Sequence, residues 1–111
     1  MEAKRKLPFD PQKYLSQIGD GKSNLKAPKK ERIFSQGDPA EAVFYVTSGK
    51  VTLSVVSQEG KEAIVALLEK GDFLGEGCLA GQRFHMSTAT ALEDATLLRI
   101  SKTAMISVLH D

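Results

Sequence analysis

Five glycines fall at nearly even intervals along the chain, and their spacing restricts what it can fold into. Gly37, Gly49, Gly60, Gly71 and Gly81 lie 10 to 12 residues apart. Glycine enters the positive-φ region without penalty, so glycines at such intervals mark tight turns. The runs between them are short and rich in β-forming residues: Arg32–Ser35, Val43–Thr47, Lys50–Val56, Ala63–Leu68 and Thr88–Leu92. A further run, Ala95–Ile100, follows the turn at Glu93-Asp94. Val51, Leu53 and Val55 alternate with Thr52 and Ser54, which gives that strand one buried and one wetter face. Turns at this interval, with no helical pattern between the strands, predict an antiparallel sandwich or barrel and argue against a parallel βαβ sheet.

The flanks read differently. Residues 1–31 form a basic leader, with an unstructured start and a short helix from Asp10 that carries Pro11 at its first position. Tyr14, Leu15 and Ile18 make the apolar face of that helix, Gly19-Asp20-Gly21 ends it, and Lys26–Lys30 reads as an extended connection. Residues 32–111 make the β domain, which closes with the start of a helix. Ser101 is its cap, and Ala104, Met105, Val108 and Leu109 are its apolar stripe. At 111 residues there is room for one core. Trp is absent and only five Phe and two Tyr are present, so aliphatic packing must hold that core together.

Charge is unevenly divided. Residues 1–32 carry nine Lys or Arg against four Asp or Glu, and the remainder carries six against ten. No aromatic residues interleave the lysines, so the basic segment reads as a solvated leader rather than a nucleic-acid groove. The single cysteine, Cys78, excludes an intrachain disulfide and any cluster built mainly from cysteines. No apolar run has signal-peptide or membrane-spanning length, and a reducing cytoplasm fits the composition.

One segment breaks the strand rhythm: Gly71-Asp72-Phe73-Leu74-Gly75-Glu76-Gly77-Cys78-Leu79-Ala80-Gly81. It is too rich in glycine for a strand and predicts a tight turn opening a single helical turn. Its glycines let the backbone approach a ligand, and free amides there favour an anion. The hydroxyls of Ser87 and Thr88 add hydrogen bonds, while Glu76 suits a sugar hydroxyl better than a phosphate.

The string Gly-Asp-Phe-Leu-Gly-Glu, followed about ten residues later by Ser-Thr-Ala, resembles the phosphate-binding cassette of cyclic-nucleotide-binding domains. Ile33-Phe34-Ser35-Gln36-Gly37-Asp38-Pro39-Ala40 resembles the entry strand and turn of that family. Val43-Phe44-Tyr45-Val46-Thr47-Ser48-Gly49-Lys50-Val51 is similar to its next strand pair. The resemblance runs from about residue 10 to residue 111 and is strongest to the sensor domain of Crp/Fnr-type bacterial transcription regulators. It implies a mainly β fold, an antiparallel jelly roll with short flanking helices. It also implies a small-molecule effector such as cyclic AMP (cAMP), with no further cofactor. The implied effector-binding residues are Phe73, Gly75, Glu76, Gly77, Cys78, Leu79, His85, Met86, Ser87 and Thr88.

Position by position, Gly75 and Glu76 match the family's Gly-Glu pair, whose Glu binds the ribose 2′-hydroxyl. Ser87 matches the hydroxyl residue at the cyclic phosphate. The family's phosphate-binding Arg would precede it, but this chain has Met86 there, after His85, with Arg83 out of register. Arg pairs with phosphate through charge-assisted bonds of roughly 1.5–3 kcal/mol, so its loss predicts binding weaker by about 10- to 100-fold. The family also implies a homodimeric parent protein that reads DNA through a helix-turn-helix. None follows Asp111 here, so this chain alone is not expected to bind promoter DNA.

Other chemistry has little support. His85 and His110 lack companion ligands for a metal, and structural or surface roles are expected of both. Cys78 reads as a small buried hydrophobe, with a redox-sensing thiolate as the alternative. No nucleophile–base pair stands out, so no enzyme activity is expected. The competing reading is an effector-free scaffold that regulates a protein partner.

Overall fold

The computed structural model describes residues 19–109. The helix expected from Asp10 and the residue His110 lie outside that range. Among the described residues, eight strands form two four-stranded antiparallel sheets. In chain order they are β1 (Lys22–Ala27), β2 (Arg32–Phe34), β3 (Ala42–Ser48), β4 (Lys50–Val56), β5 (Glu62–Glu69), β6 (Phe73–Leu74), β7 (Thr88–Ala91) and β8 (Ala95–Ser101). One sheet has the order β1-β8-β3-β6 and the other β2-β7-β4-β5. The chain crosses repeatedly between two stacked sheets, which is the jelly-roll arrangement of double Greek keys.

The six strands expected from the turn spacing are all present, with ends shifted by one residue at most. Two strands were not foreseen. β1 occupies Lys22–Ala27 and pairs residue for residue with β8, from Lys22 opposite Ile100 to Ala27 opposite Ala95. The expected leader over residues 1–31 therefore gives up a six-residue strand to the sheet, and Lys26 and Ala27 belong to that strand rather than to a connection. β6 is only two residues long and is held against Phe44 and Tyr45 of β3.

Between β3 and β4 stands a single residue, Gly49, with φ of 83°. The chain turns there from one sheet into the other. A side chain at Gly49 would press into the backbone of Asp94 and Ala95. The corner therefore needs glycine for its conformation and for its space.

The strand pattern divides the apolar residues between two clusters. Ala42, Phe44 and Val46 of β3 point between the sheets, where they meet Phe34, Val51, Leu74, Ala89, Ala91 and Leu97. Val43 and Tyr45 point the other way and pack with Ile100, Cys78, Met105 and Val108. β3 is thus buried on both faces from Ala42 to Val46, which accounts for its unbroken apolar run. The second cluster is covered by a closing helix, α1 (Lys102–Leu109). The Ser101 hydroxyl accepts the Ala104 N–H at 3.1 Å, the expected cap. Met105 and Val108 are buried as expected, but Leu109 lies outside the packed stripe and is 41% exposed. Among the described residues, no helix is long and apolar enough to cross a membrane.

Candidate functional site

The glycine-rich segment leaves β6, turns at Gly75, and forms a single 3-10 turn over Glu76–Ala80. Gly75 has φ of 76°, and Gly81 closes the turn at φ of 95°. Any Cβ at Gly75 would lie 3.2 Å from His85 Cε1 and 3.3 Å from the Ala42 carbonyl oxygen. The close approach seats the cassette on β3 and on His85. At its far end, the Gln82 N–H donates to the Gly77 carbonyl at 3.1 Å, and the Gln82 side chain lies over Gly77.

A cavity of about 140 Å³ opens beside this turn. Gly75, Glu76, Gly77 and Cys78 form its cassette wall, and His85, Met86 and Ser87 come in from the approach to β7. Seven of the ten expected effector residues thus converge on one space. Phe34, Ala40, Leu53 and Gln82 complete the lining. Sequence reasoning did not single them out as site residues. Leu53 had a signal, since it sits on the inward face of the alternating strand β4. Gln82 had none.

Phe73, Leu79 and Thr88 are not in that lining, and each has a local reason. Side chains alternate along β6, so Leu74 enters the core while Phe73 turns to the other face, its ring tilted at 52° against Tyr45 with ring centres 4.8 Å apart. Leu79 packs against the cluster under α1. The Thr88 hydroxyl is buried and accepts the Gln36 N–H at 2.9 Å, fixing the turn after β2.

The electrostatics follow from this lining. Among the described residues, Glu76 is the only formally charged side chain on the cavity wall. Met86 is 66% exposed at its rim, whereas Arg83 is exposed and outside the lining, its carbonyl accepting the Ala40 N–H. His85 is buried and stacks flat on Phe34, with centroids 3.7 Å apart and an interplanar angle of 10°. Burial lowers its pKa, with Asp38 opposing, so the imidazole supplies no positive charge at neutral pH. The ring packs as part of the wall between Phe34 and the cassette.

Cys78 is fully buried, and its S–H donates weakly to the Ala42 carbonyl at 3.9 Å. Burial raises its pKa, outweighing the lowering by Lys102. Burial and this direction favour the small-hydrophobe reading over a thiolate at the turn. Among the described residues, no group of three His, Cys, Asp or Glu is placed to hold a metal ion.

With the geometry in hand, the chain can be set beside known proteins. The family model described as the cyclic nucleotide-binding domain matches residues 24–111. The cyclic AMP receptor protein of Thermus thermophilus is 34% identical over 83 residues, which are 75% of this chain and 38% of that protein. The cAMP-activated global transcriptional regulator CRP of Salmonella typhimurium is 41% identical over 51 residues, 46% of this chain and 24% of the regulator. The chain therefore spans well under half the length of these relatives. Among solved structures, the sensor domain of the transcriptional regulator DNR from Pseudomonas aeruginosa superposes with a TM-score of 0.81 at 27% identity, covering 94% of this chain and 69% of that one. The match from β1 to the closing helix, on a jelly roll bearing the cassette turn, means that this chain belongs to the cyclic nucleotide-binding domain family and is of the Crp/Fnr-type sensor kind.

Proposed function

We propose that this chain is the effector-sensing domain of a Crp/Fnr-type transcription regulator whose cassette holds cyclic nucleotides such as cyclic AMP weakly or not at all. One observation carries the reading: among the described residues, the cassette cavity is lined by Glu76 and by no Lys or Arg, with Met86 in place of the phosphate-binding Arg. A phosphate entering it loses water and gains no charge-assisted bond from position 86. The domain senses rather than catalyses. DNA is read by a separate helix-turn-helix domain of a longer, homodimeric cytoplasmic protein.

A second reading, the effector-free scaffold, draws support from size. The cavity of about 140 Å³ is below the ~300–1,000 Å³ usual for small-molecule sites. Titration calorimetry with cyclic AMP, cyclic GMP and cyclic di-GMP tests both readings on the wild type and on Met86→Arg. The expected result is millimolar or absent binding by the wild type and a gain of about tenfold or more for a cyclic nucleotide with the variant. Micromolar binding by the wild type overturns the weak-sensor reading. No gain in the variant overturns the weak-sensor reading, because either residue 86 does not face the phosphate or the cassette is closed to it.

A further inference from the structure

The jelly roll has a second cavity, of about 250 Å³, on the other side of the His85–Phe34 stack. Among the described residues it shares only those two rings with the cassette cavity. Its apolar wall is the tilted pair Phe34 and Phe44, with ring centres 5.5 Å apart. Its polar groups are Asp38, Glu41 and Arg99. Among the described residues, both signs of charge therefore border one cavity beside the two rings, which the cassette cavity lacks.

The three charged residues stand on fixed backbone. Arg99 lies on β8 directly opposite Phe44 of β3. The Glu41 carbonyl accepts the Lys102 N–H at 2.9 Å, tying it to the start of α1. The Asp38 carbonyl accepts the His85 N–H at 2.8 Å, and its carboxylate accepts the Ser35 N–H at 2.9 Å. Charges on anchored elements recognise a ligand at a smaller entropic penalty than charges on loose loops. The volume calls for something smaller than a drug-sized molecule.

We propose that this second cavity is a binding site for a small α-amino acid with an apolar side chain. The Arg99 guanidinium takes the carboxylate through its fork of donors. Glu41 and Asp38 take the ammonium group, and the side chain lies on Phe34 and Phe44. His85 contributes the wall as a ring and carries no charge to the ligand.

L-leucine is the probe, with isopentylamine and 4-methylpentanoate as its analogues lacking one charge each. Aromatic NMR shifts of Phe34 and Phe44 report occupancy. Leucine should bind about tenfold or more tightly than either analogue. Arg99→Gln should bring leucine down to the level of the amine. Glu41→Gln should weaken leucine and the amine together and leave the acid unchanged. Both substituted residues are exposed, and an unchanged melting temperature confirms that each variant folds. Should Arg99→Gln fail to fold, Arg99→Lys keeps the charge and loses the fork, and should still weaken leucine. Equal binding by the three probes, leucine binding untouched by the Arg99 substitution, or no shift at Phe34 and Phe44 overturns the site.

Discussion

His85 joins the two cavities and is held between conflicting demands. Its ring must be neutral to stack on Phe34 in a buried position, and burial lowers its pKa against the pull of Asp38. Between that lowered value and the ordinary value of about 6.5, the unfolded chain binds a proton that the folded chain refuses. This contribution to stability is intact above the ordinary value and is lost as pH falls through it toward the folded pKa. The urea midpoint should therefore drop on acidification through about pH 6.5. His85→Phe, which keeps a flat ring against Phe34, should flatten that part of the profile. An identical slope in the variant would move the effect to other groups. The same residue shows how far the site could be read from sequence. The spacing from Glu76 to Ser87 placed Met86 and His85 at the cavity, but neither the stack on Phe34 nor the turn of Phe73 onto Tyr45 leaves a mark in composition. Both depend on strand parity across a two-residue β6.

At the scale of elements, β3 and β4 set the sandwich, and Gly49 alone joins them. Gly49→Ala must adopt positive φ and displace the backbone at Asp94 and Ala95. We expect a loss of several kcal/mol, more than the ~1–2 kcal/mol of positive φ alone, read as a lower denaturant midpoint at unchanged slope. A loss below ~1 kcal/mol would mean that the corner yields easily. On the outer face of the β1-β8-β3-β6 sheet, Met105 of α1 is 3% exposed, and Met105→Ala should cost about 2–5 kcal/mol by opening a cavity under α1. The strong strands were legible because alternation or an apolar run announced them. β1 was not, because KSNLKA buries only Ala27 and half-buries Lys22 and Leu25. It is an edge strand held by its backbone ladder to β8, and backbone pairing has no side-chain signature. The other long edge, β5, exposes Ile64, Val65 and Leu67. An irregularity opposite Leu53 and Ser54 leaves Val65 without a partner and puts Glu62 and Glu69 on one face. Antiparallel self-pairing of β5 with matching faces would then set Glu62 against Glu69 of a second copy, an unfavourable like-charge pair.

Over the whole molecule, ligand binding and folding are one equilibrium, so a missing charge and a missing site leave different thermal signatures. A ligand that binds only the folded chain stabilises it by RT ln(1 + [L]/Kd), about 2.7 kcal/mol at a hundred times Kd. For a domain near this size, each kcal/mol moves the melting temperature by about 4–8 °C. If Met86 removes only the phosphate contact, Met86→Arg and the wild type should trace the same curve of melting temperature against log cyclic AMP concentration. The wild-type curve would be displaced to higher ligand by the tenfold or more that one charge-assisted bond represents. At the concentration that gives the variant ~2.7 kcal/mol, a tenfold weaker wild type would gain only about 1.4 kcal/mol. A scaffold with a closed cassette would instead give a flat line for both proteins, because an added Arg cannot create a volume the fold lacks. Parallel displaced curves support a weakened sensor built on a working cassette. Flat lines for both exclude the nucleotide and leave the protein-partner reading.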